Sequence, residues 1–580
     1  MTRPPPPPAP RRRVPWRRIP WRGWPYLGLA VLSTWPAAPQ LGSAVPGADR
    51  TDVWNALWSL HFVRSAVFEG RLPWHTELLD PPRGGTLLVA DPLNALLSVP
   101  LGLLFDLPTT WTVLVIGHLW LLGWVAHRFA RDLATERGLP GDPAGFVAGV
   151  ACATAPVVLA AIHNGTSEGV PAGLVLLAAW AGWSAVRKGG SGRLLLAVLA
   201  LVPAALSSAY SAVVAFLFAG ALLLVPPRGS GGVGEGRGRA LAVLLLALVL
   251  VAPAYVGIQR AATGEGNLVR IKHDRELATV RRSTGPADLR GFVVGGDFRS
   301  PDFREISRYG EQFFHCHYLG IFVLGAALYG ARRRAGEPWL WMGGAGALLL
   351  SLGPVAVADG AAVIIGGDRA IPLPYLLVEE LPGFRSLSLL HRLALGPALA
   401  LGLLAGLGLA SGRRPVAGSA LLCLLILVEG RLLSPLKGLP DTVEVVAPEL
   451  LRPLREAPVG VVLNHPVVGG RAYLYEQTLH GQPMAGTLNF PNNALGIRAW
   501  RELILAAEGL GEDPDEQALL AFRERVAKRA RSAGVRYVVL HEDPLARPDM
   551  HDVAATAVAA AFEPLGGARA DAPVRAYRLW

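Results

Sequence analysis

Apolar residues in this chain come in blocks of about 15–20, separated by short polar links. A helix rises about 1.5 Å per residue, so a block of that length matches the ~30 Å hydrocarbon core of a bilayer. Such blocks fall at 24–39, 92–106, 110–127, 145–162, 169–186, 193–207, 210–226, 239–257, 315–330, 338–357, 391–410 and 416–433. After about residue 434 the pattern changes. Val461-Val462-Leu463 and the run Val535–Leu540 read as buried strands. Pro514–Ala533 reads as a helix with Glu and Arg on its wet face, and Ala554–Phe562 as another. The pattern predicts a polytopic α-helical membrane protein of about 11–13 spans over 23–433. A C-terminal α/β domain follows over 434–580.

The links between blocks carry the topology. Those at 187–193, 226–239, 331–337 and 411–415 are basic and are expected in the cytoplasm by the positive-inside rule. Links at 163–168, 207–209, 258–314 and 358–388 then fall on the other side. The long loop 258–314 holds ten basic and eight acidic residues, but long loops translocate largely regardless of charge. Arg128, Arg131 and Arg137 also ask for the cytoplasm. Block 92–106 is therefore either a short interfacial or re-entrant piece, or the charge rule is broken once.

Residues 1–22, with a proline run, seven arginines and no acid, read as a disordered cytoplasmic tail. The block after it reads as an uncleaved first span. Residues 42–91 form the first outer loop. In it Asp52–Phe68 reads as an amphipathic interfacial helix anchored by Trp54 and Trp58. The C-terminal domain is expected on the same side as that loop, outside the cytoplasm.

Composition supports a membrane protein and narrows the functions. The 580 residues are 52% hydrophobic and only 17% charged, against about 25% in an ordinary soluble chain, which excludes a disordered protein. The net charge of +11 is not a nucleic-acid footprint. Residues 441–580 hold 15 basic and 18 acidic residues, a net of −3, which leaves +14 spread over the links of the first 440. Of the 55 basic residues 51 are Arg, as expected of coding in a G+C-rich bacterial genome, and the predicted location is the bacterial inner membrane. Cys152, Cys316 and Cys423 have neither metal nor redox spacing. No P-loop, GxSxG or HExxH motif occurs, so ATP-driven transport and hydrolase chemistry lack support.

The order of elements is specific: one span, an acidic aromatic outer loop, about ten further spans, then an outer α/β domain. The matching pieces are Gly47-Ala48-Asp49-Arg50-Thr51-Asp52 with Trp54 and Trp58, and Asp80-Pro81-Pro82-Arg83-Gly84-Gly85. Further on come Pro382-Gly383-Phe384-Arg385 leading to His391-Arg392, the stretch Tyr473–Pro483, and the strand after Gly534. On these the chain resembles the GT-C superfamily of membrane glycosyltransferases, which use polyprenyl-phosphate-linked sugars. It is somewhat similar to the YfhO-like bacterial group.

The resemblance implies sugar transfer from a polyprenyl-phosphate carrier to an extracytoplasmic glycan, lipid or protein acceptor, by inverting general-base catalysis. Asp49 matches the position of the catalytic acidic residue. Asp52 is then a helper, a metal ligand, or simply the N-cap of the helix after it. Because Asp-Arg-Thr-Asp is not a tight acid-x-acid pair, use of Mg or Mn stays open. Arg385 and Arg392 suit a leaving phosphate because the guanidinium fork binds it bidentately, although arginines at a span end also snorkel to headgroups. His391 points to the same place. His163 and Glu168 lie in a polar hinge between two spans, where they bind substrate or are merely solvated. His315 and His317 bracket Cys316, but no third metal ligand accompanies them. Tyr475, Gln477, His480 and Asn489 either bind sugar or pack the C-terminal domain onto the membrane part. Two non-catalytic alternatives are a transporter or lipid flippase, expected to carry charges deep in several spans, and an envelope assembly protein without a groove joining Asp49 to Arg385.

Overall fold

A computed structural model describes residues 23–82, 84–87, 91–230, 232–263, 268, 280–282, 285–294, 313–366, 369–381, 383–384, 387–434, 436, 439–445, 451–466, 472–486, 494–510, 514–541, 548–565 and 574–580. The basic tail, Arg385 and Asn489 lie outside the described residues.

Among the described residues six helical runs are long and apolar enough to cross a membrane: Leu107–Glu136, Gly141–His163, Ser167–Lys188, Val233–Arg260, Leu390–Ala410 and Pro415–Leu432. Shorter apolar helices at Trp24–Ser33, Ser191–Ser207, Ala209–Leu224, Ile321–Arg332 and Pro338–Ser351 complete an up-and-down bundle. Eleven helical passes alternate between two faces among the described residues. Arg137 with Glu337 and Arg187 with Glu136 join connections on one face. On the other face, Ala44–Pro46 pairs antiparallel with Thr442–Glu444, so the end of the last span returns to the end of the first. That second face, the domain face, carries the C-terminal elements.

Helix Pro92–Leu101 settles the choice left open at 92–106. It is only ten residues long, and both of its ends lie on the domain face. Asp91 caps its start beside Ser167, and after its end Asp106 caps the next span beside Gly42. It packs beside Val53–Phe68 and does not cross.

Small residues set the core of the bundle. The span Leu395–Ala410 is buried on nearly every side. A Cβ added at Gly406 would run into the Ala144 carbonyl, and one at Gly408 into that of Ala326. Glycine at these points lets helix backbones touch, where the gain comes from van der Waals packing. Val233–Arg260 and Pro415–Leu432 keep most of their leucines exposed and form the outer surface of the bundle.

Beyond residue 451 the chain builds a three-stranded sheet. Val461–His465 runs parallel to Val535–His541, which pairs antiparallel with Val574–Arg578. Helices Ala494–Glu508, Glu516–Ala533 and Pro548–Ala561 bury a separate apolar core that includes Leu463, Phe522, Val538 and Val558. Asp515 caps the helix at Glu516 by accepting from Ala518 N at 2.7 Å.

Candidate active site at the domain face

Proline breaks the third pass. Its first helix ends at Ala153, and a second begins at Pro156, which supplies the φ of a first helical turn without needing an N–H partner. That second helix ends at His163, so the turn Asn164–Glu168 is presented at the domain face. The loop after the first span lies across this turn. Ala48 N donates to the His163 carbonyl at 2.7 Å and Asp52 N to the Asn164 carbonyl at 3.0 Å. Such close backbone contact requires glycine at 165, which holds φ at +62° and leaves no room for a Cβ beside the Val53 backbone.

Asn164 fixes the third wall. Its Nδ2 donates to the Phe314 carbonyl and its Oδ1 accepts from Phe314 N, both at 2.8 Å. Beside this turn opens a cavity lined by Asn164, Thr166, Glu168, Tyr210, His391 and Arg392 among others. Arg392 donates from Nη1 to Glu168 Oε1 at 2.7 Å and sits 5.4 Å over the Tyr210 ring. The Tyr210 hydroxyl accepts from Ser388 N and Leu389 N, which steadies the chain entering His391. His391 stacks on His315 with ring centres 4.3 Å apart, and its Nδ1 lies 3.2 Å from the Gly285 carbonyl.

A buried polar chain supports the wall behind Glu168. Asp91 accepts from Asn94 N at 3.0 Å and from Asn94 Nδ2 at 2.5 Å. Asn94 Oδ1 is 2.6 Å from His118 Nε2, and its amide also reaches the Ser167 carbonyl at 3.4 Å. Burial pushes the Asp91 carboxyl up to about 8, with the charge of Glu168 adding to the rise and the Asn94 bonds opposing it. Neither Asp91 nor Tyr210 stands out in the sequence. An Asp before Pro at a helix start reads as an ordinary cap, and a Tyr at a span end as a belt residue.

The two candidate carboxylates face different neighbours. Asp52 lies within electrostatic reach of Arg392 and accepts from Asn55 Nδ2 at 2.9 Å. Asp49 instead accepts from the Trp54 indole at 3.1 Å, and the Trp54 ring packs 6.1 Å from Tyr475 of the C-terminal part. Asp52 does occupy the N-cap position of Val53–Phe68, but its side chain makes no capping hydrogen bond. It is therefore not the ordinary cap that its position in the sequence suggests.

Nor is Val53–Phe68 an amphipathic interfacial helix. Val53, Trp54, Leu57, Trp58, Leu60, Phe62, Val63 and Ala66 are all buried, so the apolar residues run around the axis. It is sandwiched between Pro92–Leu101 and the helix Tyr473–His480. Trp58 donates from Nε1 to Gln477 Oε1 at 2.7 Å, both side chains being fully buried. His480 Nδ1 accepts from Gln482 N at 3.0 Å, and burial lowers its ring to about 4. Trp54 and Trp58 thus pack against Tyr475 and Gln477 and hold the C-terminal part onto the first loop, while His480 is buried within the C-terminal part itself. His163 is likewise buried beside the cavity, not on its lining. Its Nδ1 accepts from Asp441 N at 3.2 Å and its ring meets Phe314 edge-on.

Among the described residues no three His, Cys, Asp or Glu side chains gather as a metal site. Glu168, the carboxylate on the cavity wall, is already paired with Arg392. The described residues do not supply a ligand set for Mg or Mn.

No protein-family model and no curated protein sequence matches the chain. Its shape does match solved structures. Arabinofuranosyltransferase AftD from mycobacteria aligns at a TM-score of 0.51 and 16% identity, over 96% of this chain. The chain spans 41% of the length of that protein. ArnT from Cupriavidus metallidurans, bound to undecaprenyl phosphate, aligns at 0.46 and 11% identity over 97% of this chain and 99% of ArnT. Oligosaccharyltransferase AglB from Archaeoglobus fulgidus, in complex with an inhibitory peptide and a dolichol-phosphate, aligns at 0.46 and 12% identity, covering 90% and 69%. The chain shares the membrane fold of that arabinofuranosyltransferase.

Proposed function

We propose that this chain is a membrane glycosyltransferase. It takes a sugar from a polyprenyl-phosphate carrier in a bacterial inner membrane and passes it to a glycan, lipid or protein acceptor on the extracytoplasmic side. The observation that carries this reading is the convergence of three segments distant in sequence. Turn 164–168 and the start of the span at His391-Arg392 line one cavity at the domain end of the bundle, and loop 47–52 is hydrogen-bonded to the back of that turn, with Asp52 within electrostatic reach of Arg392. A carboxylate, an arginine and an apolar surround at that depth are what the reaction requires.

The chemistry follows from those groups. A carboxylate accepts the proton of the acceptor hydroxyl as its oxygen bonds to the anomeric carbon. The carbon–oxygen bond to the carrier breaks, and the electron pair leaves on the polyprenyl phosphate. Attack opposite the leaving group inverts the anomeric centre. Arg392 meets the charge that grows on the phosphate, and low water content strengthens that attraction. Resemblance favours Asp49 as the base, whereas proximity to Arg392 favours Asp52. We assign the base to Asp52 and a supporting role at the domain contact to Asp49, through its bond to Trp54.

Membranes supplied with radiolabelled polyprenyl-phosphate sugars test this directly. D52N is expected to lower transfer by 10²–10⁴-fold, the usual weight of a general base, and D49N by less. R392A is expected to abolish it. Full transfer by D52N together with loss in D49N would return the base to Asp49, and full transfer by R392A would sink the phosphate assignment.

A further inference from the structure

The face opposite the cavity carries a second, unrelated depression. Five connections between spans build its rim, at residues 136–139, Arg187, Pro227-Arg228, 333–337 and Ser411. Five arginines line it, Arg137, Arg187, Arg228, Arg333 and Arg334, against two acids, Glu136 and Glu337. Both acids are already engaged. Arg137 holds Glu337 with Nη2 at 2.7 Å and Nε at 3.0 Å, while Arg187 and Lys188 share Glu136.

The remaining charge is arranged, not merely abundant. Arg137 also donates from Nη1 to the carbonyls of Ala335 at 2.7 Å and Arg334 at 3.2 Å. These bonds hold Arg334 at φ +56°, a conformation that a residue with a Cβ rarely adopts. Arg187 Nε donates to the Arg228 carbonyl at 3.1 Å, fixing that backbone beside the same hollow. Among the described residues neither Arg228, Arg333 nor Arg334 has an acidic partner. Three exposed guanidinium groups therefore surround a concave site at the level where a span ends and headgroups begin. Trp183 adds an aromatic wall, with Arg187 and Lys188 each 5.7 Å from its ring.

We propose that this depression binds a phosphate-bearing anion, held by Arg228, Arg333 and Arg334 and supplied by an anionic lipid headgroup. Phosphate suits the arginine fork, and basic hollows between spans on this kind of face suit anionic lipids. A soluble polyphosphate offers the same chemistry and is separated from the lipid by the test. The site lies at the other end of the spans from the cavity and does not depend on the transferase reading.

The full chain is purified into nanodiscs of phosphatidylcholine alone or with 20% phosphatidylglycerol. Retained lipid is measured by native mass spectrometry and thermal stability by fluorescence, with added inorganic pyrophosphate as the soluble arm. Wild type is expected to retain phosphatidylglycerol and to melt higher with it. The R228A/R333A/R334A variant is expected to lose at least tenfold in retention while folding normally in phosphatidylcholine. R413A/R414A removes two exposed arginines of the same face that do not line the hollow, and is expected to behave as wild type. Equal loss in that control, or none in the triple variant, would reduce the hollow to diffuse surface charge and overturn the proposal. Stabilisation by pyrophosphate and not by phosphatidylglycerol, lost in the triple variant, overturns the lipid source and keeps the phosphate site.

Discussion

Arg392 and Glu168, 224 residues apart in sequence, form an ion pair of 2.7 Å on the wall of one cavity, each side chain about one-fifth exposed. A pair so placed is neither a free surface bridge nor a fully buried one, so removing either member leaves a half-buried charge without its partner. If Arg392 meets the leaving phosphate, Glu168 holds its guanidinium in place between turnovers. Arg392→Lys keeps the charge but loses the fork, and transfer is expected to fall at least tenfold. Glu168→Gln is expected to cost about tenfold, chiefly in kcat. The E168Q/R392K double variant is expected to be non-additive, with a coupling of about 0.5–3 kcal/mol. Strict additivity in kcat/KM would show that the two act separately.

The meeting of loop 47–52 with turn 164–168 depends on Gly165. Its φ of +62° and the Val53 backbone pressed against it exclude any side chain. Gly165→Ala is therefore expected to move the carboxylate loop away from turn 164–168 and to lower both transfer and melting temperature sharply. Gly481 provides the comparison. It has a similar φ of +67° but open space around it, so Gly481→Ala carries only the left-handed penalty of about 1–2 kcal/mol. Equal effects of the two substitutions in thermal unfolding would remove the close approach as the cause.

Much of this was legible before the structure, for reasons of period and length. The apolar blocks mark the spans because bilayer thickness fixes their size. Val461–Leu463 and Val535–Leu540 mark two strands because β-branched runs bounded by Gly are hard to read otherwise. Val574–Arg578 escaped notice because alternating Arg, Ala and Tyr over five residues is a weak strand signal. The buried Val53–Phe68 helix reads as interfacial in sequence because its tryptophans look like belt anchors until a second helix is known to cover them. The Asp91–Asn94–His118 chain was invisible, since its members join a loop, a short helix and a span whose meeting only tertiary packing decides.

The Trp58–Gln477 hydrogen bond ties the first loop to the C-terminal part across 419 residues, with both partners shielded from water. Breaking one side leaves a buried donor or acceptor unmet. Trp58→Phe and Gln477→Leu are each expected to cost about 1–3 kcal/mol. W58F/Q477L leaves no polar atom unpaired and is expected to recover part of that loss. Limited proteolysis between residues 434 and 461 reads the same contact. Cleavage is expected to quicken in each single variant and to slow again in the double.

Asp91 gives the candidate site a pH dependence whose sign is fixed by its surroundings. Its folded carboxyl titrates near 8, against 3.8 for a free side chain, because burial disfavours the charged form. The folded state therefore holds a proton that the unfolded chain has already released. Its contribution to stability is whole below about pH 4 and is lost as pH rises from there through 8. Asp91→Asn keeps a neutral side chain of the same shape at every pH. Wild type in detergent is expected to lose melting temperature between pH 5 and 9 relative to D91N, with the largest gap at the alkaline end. His480, lowered to about 4 by burial, acts the other way: its contribution is present above 6.5 and falls as pH drops toward 4. The difference between wild type and D91N cancels that second effect, because His480 is common to both. A gap between the two that stays constant from pH 5 to 9 would mean that Asp91 is ionised in the folded protein, and the chain of bonds behind Glu168 would then need a counter-charge.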